Sequence, residues 1–367
     1  MIKKILQKIF KKFSYGFFLK LHGKIENSLT CKEDRRIKVK IVNIDNKLNY
    51  NIYRIEEARL YTDRIHDTAI LLENKIIEEA SFQLRNNNNS HIRNNIVFSK
   101  GTPRIKRNIN GIVLSLLTGG GGNNNYWHWL YDVLPRLNLC SKVCNLNDVD
   151  YFLFPNLSNK FQKETLNFLK IPTQKRLSSE KFRHIRTKEL IVTDHPVVVT
   201  DNSTNDIQNV PIWIIEWLKS SFINQNIITN KNNKRKIYID RADASSGHST
   251  ERLIVNENEI KKYLLDNNFS SVRLGDMDFI KQVELFYNAE TVVGLHGAGF
   301  ANLSFCKPGT KVIEFRSSTA GIMYENLAIK NNLNYSSIIS KTVDDNYLNQ
   351  QGHIQVPINN LIKILKA

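Results

Sequence analysis

A histidine and an aspartate four residues apart are the first residues of this sequence that could act as an acid–base pair. His128 and Asp132 lie in the apolar, aromatic segment NYWHWLYDVLPRL, residues 125–137. Helical spacing places residues i and i+4 on one face, so the carboxylate and the imidazole would stack one above the other. The carboxylate can then accept a proton while the imidazole orients it or a substrate. The same spacing also fits a purely structural hydrogen bond, and both interpretations stay open.

A glycine-containing turn after an apolar run forms the second group, within residues 291–315 (TVVGLHGAGFANLSFCKPGTKVIEF). The first run, VVGL, has the length and β-branched content of a buried strand, and it delivers His296, Gly297 and Gly299. Glycine lets the backbone approach a ligand closely, and a helix over 299–305 would point free N–H groups beside His296. This geometry suits a diphosphate. An ordinary strand-turn-helix junction is the alternative.

Charge and position predict a role for each polar residue near this turn. Arg241 is permanently cationic and can clamp a diphosphate with two parallel hydrogen bonds, and His296 can donate to a phosphate oxygen. Asn302, one turn into the predicted helix, can bind the same group. Glu314 can accept hydrogen bonds from ribose hydroxyls. The simpler alternatives are a surface ion pair for Arg241 and a strand-end cap for Glu314.

Alternating strand and helix patterns in the second half of the chain would position these residues. Strands are predicted at residues 236–240, 270–274, 290–295, 311–315 and 335–339, with helices at 255–267, 278–288 and 320–330. This alternation is typical of an α/β fold with a doubly wound parallel sheet, which binds ligands at the carboxyl ends of its strands. Arg241, His296 and Glu314 lie at or just beyond such ends. No GxGxxG follows the first strand, so a dinucleotide fingerprint is not predicted.

The first half of the chain has looser strand patterns around a pliable Gly/Asn loop. Strands are predicted within residues 37–84, at 112–117, at 149–154 and as two short pieces within 183–194, and a helix over 159–169. Pro135 should interrupt the helical pattern and leave Arg136 near a helix boundary. The polar segment 201–210 predicts a domain boundary, giving a helix at 1–24 and domains at 25–205 and 206–367. The residues predicted to have no ligand role are His184, His195, Arg252 and Arg273.

The amino-terminal segment is strongly basic, as is the whole chain, whose formal net charge is +17. Residues 1–24 place apolar side chains at helical intervals with lysines mostly opposite, which predicts a basic amphipathic helix. Its apolar runs fall short of the roughly 20 residues that span a bilayer, and lysines interrupt any signal-peptide core. We predict that this helix docks on anionic lipid headgroups. Packing on the protein's own core is the alternative.

Composition argues against a zinc site and against a nucleic-acid-binding protein. The four cysteines include no CxxC pair and no histidine lies at zinc-finger spacing, so no metal ligand set is predicted. Few cysteines in a long chain favour a reducing compartment. A nucleic-acid surface would interleave basic residues with aromatics, whereas the aromatics here cluster in apolar blocks.

Three segments resemble the signature blocks of glycosyltransferase family 61: NYWHWLYDVLPRL, YIDRADAS (residues 238–245) and VVGLHGAGFANLSFCKPGTKVIEF. The family includes bacterial capsular-polysaccharide and lipopolysaccharide synthesis proteins. The resemblance implies an inverting, metal-independent transferase with two Rossmann-like domains facing across a cleft, the GT-B arrangement. A nucleotide sugar would be the donor substrate, with no further cofactor, and a glycan, here expected to be lipid-linked, the acceptor. The carboxyl-terminal domain would hold the nucleotide, and the amino-terminal domain would supply the acceptor and the base.

Carried over residue by residue, the resemblance makes Asp132, or His128 with it, the candidate base. It places on the donor side Arg241, His296, Gly297, Gly299, Asn302 and Glu314. One departure is the segment GHST at 247–250, where the family pattern is more basic, so a phosphate contact from this loop is in doubt. With the basic helix, the resemblance predicts a cytoplasmic enzyme peripheral to the inner face of the plasma membrane. A catalytically inactive scaffold in a polysaccharide-synthesis complex is the alternative.

Overall fold

The computed structural model describes residues 13–64, 67–81, 91–117, 124–200, 203–224, 227, 235–241, 252–343 and 351–366. The chain forms two compact units, Met1–Asp206 and Ile207–Ala367. The division between them falls inside the polar segment 201–210, where a short helix occupies Ser203–Ile207. Of the predicted amino-terminal helix, residues 13–22 are helical, and residues 1–12 lie outside the described residues.

The first unit is built on a ten-stranded mixed sheet. Its strands are β1 (Asn27–Leu29), β2 (Ile37–Ile44), β3 (Leu48–Glu56), β4 (Arg59–Thr62), β5 (Thr68–Leu72), β6 (Lys75–Ile77), β7 (Arg107–Ser115), β8 (Tyr151–Phe154), β9 (Arg176–Ser178) and β10 (His184–Thr193). Its helices are α1 (residues 13–22), α2 (Ile96–Lys100), α3 (Tyr126–His128), α4 (Pro135–Ser141), α5 (Lys160–Phe168) and α6 (Ser203–Ile207). The strand order is β1-β6-β5-β4-β10-β7-β8-β9, and β3 pairs with both β10 and β2.

Only part of this sheet is parallel. Strands β10, β7, β8 and β9 run parallel to one another, as do β1 and β6. The pairs that β10 makes with β3 and β4 are antiparallel, as are β2–β3 and β4–β5–β6. Tight turns explain the antiparallel part: Asp45 and Asn46 have positive φ between β2 and β3, as does Glu73 between β5 and β6. Such short connections cannot make the crossover that parallel pairing needs. The Rossmann-like pattern expected here is therefore limited to four strands, and β10 is one ten-residue strand where two short strands were predicted.

Helix α1 packs on the first unit through one face. The ring of His22 lies with Nε2 at 3.0 Å from the carbonyl oxygen of Arg104, and Phe18 stacks on that ring. Phe13, Phe17 and Leu21, spaced four residues apart, are 77%, 56% and 59% exposed. A second, apolar face of this helix is therefore left in solvent. Within the described ranges, no helix has both the length and the apolar character needed to cross a membrane.

The second unit contains a fully parallel five-stranded sheet. Its strands are β11 (Arg235–Ile239), β12 (Phe269–Val272), β13 (Ala289–Leu295), β14 (Lys311–Ser317) and β15 (Asn334–Ser340). They lie in the order β12-β11-β13-β14-β15 with every neighbouring pair parallel. The helices are α7 (Ile212–Phe222), α8 (Glu257–Asp266), α9 (Phe279–Tyr287), α10 (Met323–Lys330) and α11 (Ile358–Lys366). The doubly wound parallel sheet predicted for this half of the chain is confirmed.

Apolar packing holds strand β13 in the centre of this sheet. On the strand, Val293 joins a buried cluster with Ile260 and Leu264 of α8 and with Leu361 of α11. A second cluster stacks the rings of α7, α9 and the 3-10 helix Ala298–Phe305 edge to face, through Phe222, Phe279 and Phe305. The turn that follows β13 is therefore anchored by packing from several elements.

Candidate active site

The strand order of the second unit has its switch point between β11 and β13. The order reverses there, because the chain leaves β11 for β12 on one side and returns to β13 on the other, and ligands bind at such switch points. Arg241 follows β11 and His296 follows β13. Arg241 Nη1 donates a hydrogen bond to the carbonyl oxygen of His296 at 3.0 Å. The structure therefore brings these two predicted residues together at the expected place.

Both glycines of the HGAG turn allow a close approach that a side chain would obstruct. A Cβ at Gly297 would lie 3.3 Å from Cζ and Nη1 of Arg241, so glycine lets the guanidinium lie against the backbone. A Cβ at Gly299 would lie 2.9 Å from Leu274 Cδ1, which indicates a packing role for that glycine. The predicted helix after the turn is present as the 3-10 helix Ala298–Phe305.

His296 is held by a buried carboxylate. Its Nδ1 bonds to Oε1 of Glu314, and the hydroxyl of Tyr335 donates to the other carboxylate oxygen, Oε2. The ring of Tyr324 meets the imidazole edge to face, with the centroids 4.8 Å apart. Glu314 is fully buried, and side chains of the same unit engage both of its oxygens. Its predicted contact with ribose stays a prediction, because in this conformation Glu314 serves His296.

The side chain of Asn302 makes hydrogen bonds inside the second unit. Its side chain is fully buried, and Nδ2 donates to Oε1 of Gln282 at 3.1 Å and to the carbonyl oxygen of Gly299 at 3.2 Å. These bonds fix the 3-10 helix against α9. The predicted contact between Asn302 and a phosphate stays a prediction.

Two arginines predicted to have no ligand role differ from each other. Arg273 lies 3.7 Å from Asp240 with 55% of its side chain exposed. Arg252 is half-buried. Its positive charge influences the pKa of Tyr324, whose ring packs against His296. Burial and then the charge of Glu314 raise the pKa of Tyr324, and the positive charges of Arg252 and Arg241 oppose them. Arg252 is therefore near the candidate site.

In the first unit, His128 and Asp132 meet as their spacing predicts. His128 Nδ1 lies 2.5 Å from Asp132 Oδ2. The imidazole is 20% exposed, whereas the carboxylate is buried. The structure adds a second ring, because His195 Nε2 lies 3.7 Å from the same oxygen. The other nitrogen of His195, Nδ1, accepts bonds from the amides of Val197 and Val198, so Nε2 carries the proton and faces Asp132.

The pair His128 and Asp132 lies on an irregular helix. Residues Trp129–Val133 form a π-helix between α3 and α4, and Pro135 begins α4, which confirms the predicted interruption. Arg136, at the predicted helix boundary, is buried; its Nε donates to the carbonyl oxygen of Asp132 at 2.9 Å and its Nη1 to that of Thr193 at 2.9 Å. Single π-helical turns are frequent at functional sites. Here Arg136 ties the turn that carries Asp132 to the end of β10.

Burial and charge shift the pKa values of Asp132, His128 and His195 in different directions. Burial alone would raise the pKa of Asp132, but the neighbouring His128 and His195 outweigh it and hold that pKa well below the usual range. Burial lowers and the Asp132 charge raises the pKa of His128, and the net shift is upward. Burial lowers the pKa of His195 despite the carboxylate. The partly exposed ring of His128 is therefore the group suited to exchange a proton, with Asp132 orienting it.

The sequence did not predict the contacts of two residues in these groups, His195 and Tyr335. His195 follows the carboxyl end of β10 by two residues, so the strand-end rule could have found it once β10 was recognised as one strand. Tyr335 is at the start of β15, and no local pattern distinguishes it from a packing residue.

A protein-family comparison matches the family described as Glycosyltransferase 61 to residues 126–313, just over half of the chain. The matched range contains His128, Asp132, Arg241 and His296, and it ends one residue before Glu314. No curated protein matches the chain.

Proposed function

The chain belongs to glycosyltransferase family 61 and is a glycosyltransferase. From that premise we propose that it transfers a sugar from a nucleotide sugar to a glycan acceptor, with inversion and without a metal ion. The observation that carries the donor half is the hydrogen bond from Arg241 to the carbonyl oxygen of His296 at the switch point of a parallel sheet.

The second unit binds the donor in this proposal. The guanidinium of Arg241 and the ring of His296 contact the diphosphate, and the glycine turn brings backbone amides beside them. Negative charge builds on the diphosphate as the sugar–phosphate bond breaks, and fixed donors stabilise that charge without Mg²⁺. Transfer that survives a chelator is the expected result, and its loss with rescue by a divalent cation would contradict metal independence.

The first unit supplies the base. His128 takes the proton of the acceptor hydroxyl through Nε2, because Nδ1 is engaged by Asp132. The hydroxyl oxygen attacks the anomeric carbon as the diphosphate leaves from the opposite side, so configuration inverts. This requires both groups to serve one donor–acceptor pair, as the GT-B arrangement implied by the resemblance predicts.

A panel of UDP-, GDP-, CMP- and TDP-sugars tests the activity. Thermal-shift measurements identify the donor that the full-length protein binds, and hydrolysis and transfer assays follow with that donor. Binding with turnover is expected. Binding without turnover on any glycan acceptor would instead favour an inactive scaffold of the same fold.

The acceptor is proposed to be a lipid-linked glycan of surface-polysaccharide synthesis, such as capsule or lipopolysaccharide, at the cytoplasmic face of the plasma membrane. The exposed apolar face of α1, with Phe13, Phe17 and Leu21, supports contact with a membrane, and the basic residues of 1–24 favour anionic lipid.

Vesicle sedimentation tests the membrane contact. Deleting residues 1–20 should release the protein from vesicles that contain phosphatidylglycerol. The substitution Ile41→Asp, at a 68% exposed position on β2, is the matched control and should leave binding unchanged. Persistent binding of the truncated protein would contradict the assignment.

A further inference from the structure

We propose that Cys140 and Cys144 form a peroxide-sensitive thiol pair, in which Cys144 is oxidised first and Cys140 then closes a reversible disulfide. Their sulfur atoms lie 3.0 Å apart, and both thiols are free in the structure. A disulfide bond is roughly 2.05 Å long, so the two sulfurs need to approach each other by only about 1 Å. Neither cysteine belongs to the groups proposed above for sugar transfer.

The carboxyl end of helix α4 sets this spacing. The helix ends at Ser141, and in the turn that follows the amides of Val143 and Cys144 both donate to the carbonyl oxygen of Cys140 at 3.0 Å. Cys140 is therefore in the last turn of the helix, whereas Cys144 lies just beyond it. The residues after the helix can accommodate the approach of the sulfurs, so the hydrogen bonds inside α4 need not break.

The two sulfurs differ in their access to solvent. Cys140 is fully buried, whereas Cys144 is partly exposed. Cys144 Sγ also lies 3.4 Å from the carbonyl oxygen of Cys140, which holds it close to the buried thiol. A small oxidant that arrives from solvent therefore meets Cys144 first, with the second thiol directly behind it.

Charge and hydrogen bonding favour Cys144 as the attacking sulfur. The thiolate is the nucleophile, and the hydrogen bond from Cys140 lowers the pKa of Cys144 against the effect of burial. Arg54 on β3 acts in the same direction, whereas Asp148 just before β8 and Glu189 on β10 oppose it. The same hydrogen bond, together with burial, raises the pKa of Cys140. Cys140 thus keeps its proton until the second step.

Hydrogen peroxide is the oxidant in this proposal, and the reaction has two steps. The Cys144 thiolate attacks one peroxide oxygen, the O–O bond breaks, and the departing hydroxide takes up a proton to become water. The sulfur of Cys140 then attacks the sulfenic acid of Cys144, the S–O bond breaks, and the hydroxyl leaves as water with the proton of the Cys140 thiol. Two thiols lose two electrons and two protons, and one peroxide becomes two waters.

The other two cysteines of the chain are internal references. Cys31 is partly exposed, but burial and then a hydrogen bond to Glu79 raise its pKa to about 12. Cys306 is buried, and burial raises its pKa. Both therefore stay protonated at neutral pH, and we expect them to react with peroxide at least about tenfold more slowly than Cys144.

Mass spectrometry of tryptic peptides tests the proposal on the native full-length protein after brief treatment with hydrogen peroxide. Trypsin cleaves after Lys142, so the two thiols fall on separate peptides, residues 137–142 and 143–160. Free thiols are alkylated before digestion. The two peptides should stay joined, with the loss of two hydrogen atoms, and dithiothreitol should separate them.

Three variants separate the roles of the thiols. Cys140→Ser should leave Cys144 as a sulfenic acid that dimedone traps, because no second thiol is present to displace the hydroxyl. Cys144→Ser should leave Cys140 unmodified. The matched control is Cys31→Ser, which should yield the joined peptides at the wild-type rate.

Joined peptides from the native protein, with dimedone trapping Cys144 in Cys140→Ser, would support the proposal. Oxidation of Cys31 while the pair stays reduced would overturn it, as would conversion of Cys144 to sulfinic acid without joined peptides. Joined peptides that form only after unfolding in guanidinium chloride would also overturn it, because the native spacing would then have no part in the reaction. Dimedone trapping of Cys140 in Cys144→Ser would contradict the order of the two steps.

Discussion

The two units each contain a histidine whose Nδ1 meets a buried carboxylate, yet the two pairs differ in exposure and in the element that carries the carboxylate. In the first unit the ring of His128 is 20% exposed and its carboxylate lies on a π-helical turn. In the second unit the ring of His296 is 2% exposed and its carboxylate lies within β14, an interior strand of the sheet. Exposure lets the ring of His128 exchange a proton with an acceptor, whereas the buried ring of His296 is held in one orientation by its carboxylate.

The two carboxylates also differ in the side chains that contact them. Asp132 faces two rings, because His195 approaches it at 3.7 Å beside His128. Glu314 faces one ring and a tyrosine hydroxyl that stays protonated. His195 directs its Nε2–H at the carboxylate and, with His128, holds the pKa of Asp132 low. The Tyr335 hydroxyl donates to Glu314 and fixes the orientation of that carboxylate beside His296. In the proposed function, one histidine–carboxylate pair serves as the base and the other binds the anionic donor.

The largest expected effect separates catalysis from donor binding. His128→Ala should lower turnover by about 10²- to 10⁴-fold, the usual contribution of a general base. Asp132→Asn should give a comparable loss, because an amide cannot hold the ring in the tautomer that leaves Nε2 free. Neither should change the affinity for the nucleotide sugar, measured by calorimetry. Unchanged transfer by both variants would rule out the base assignment.

The second effect is a loss of donor affinity from the other unit. Arg241→Ala should weaken nucleotide-sugar binding by about 10- to 100-fold, since a charge-assisted hydrogen bond is worth about 1.5–3 kcal/mol. Arg241→Lys should recover only part of it, because an ammonium lacks the planar fork. Arg273→Ala, at an exposed position in the same unit, is the control and should bind normally. Equal losses in both alanine variants would show a general charge effect instead.

The smallest effect is the pH dependence of turnover. The pKa of His128 is raised above 6.5, mainly by the Asp132 charge against opposing burial, and only the neutral ring can accept a proton. Turnover at saturating donor should therefore fall as pH drops through that raised pKa and reach a plateau above it. Donor affinity measured over the same range separates effects of pH on binding from effects on turnover. Turnover that stays constant well below pH 6.5 would contradict His128 as the base.

Sequence patterns predicted the elements of the second unit closely, because strands and helices alternate regularly and the strands β13 and β14 contain apolar runs. The β13 strand and the 3-10 helix after it fall within a residue or two of their predictions. The elements of the first unit were harder to predict, because its antiparallel strands are partly exposed and depend on tight turns for their pairing. The positive φ of Asp45 and Asn46 decides one such turn, and no apolar pattern reports it.

The sequence by itself determined local matters: that His128 and Asp132 share a helical face, that His296 follows a strand, and that glycine follows it. Spacing along one element fixes such relations, because backbone periodicity is the same wherever the element lies. Only the tertiary structure decided that His195 joins Asp132, that Tyr335 joins Glu314, and that Asn302 is an internal anchor. These contacts join residues from separate elements, and sheet register and packing, which act between elements, bring them together.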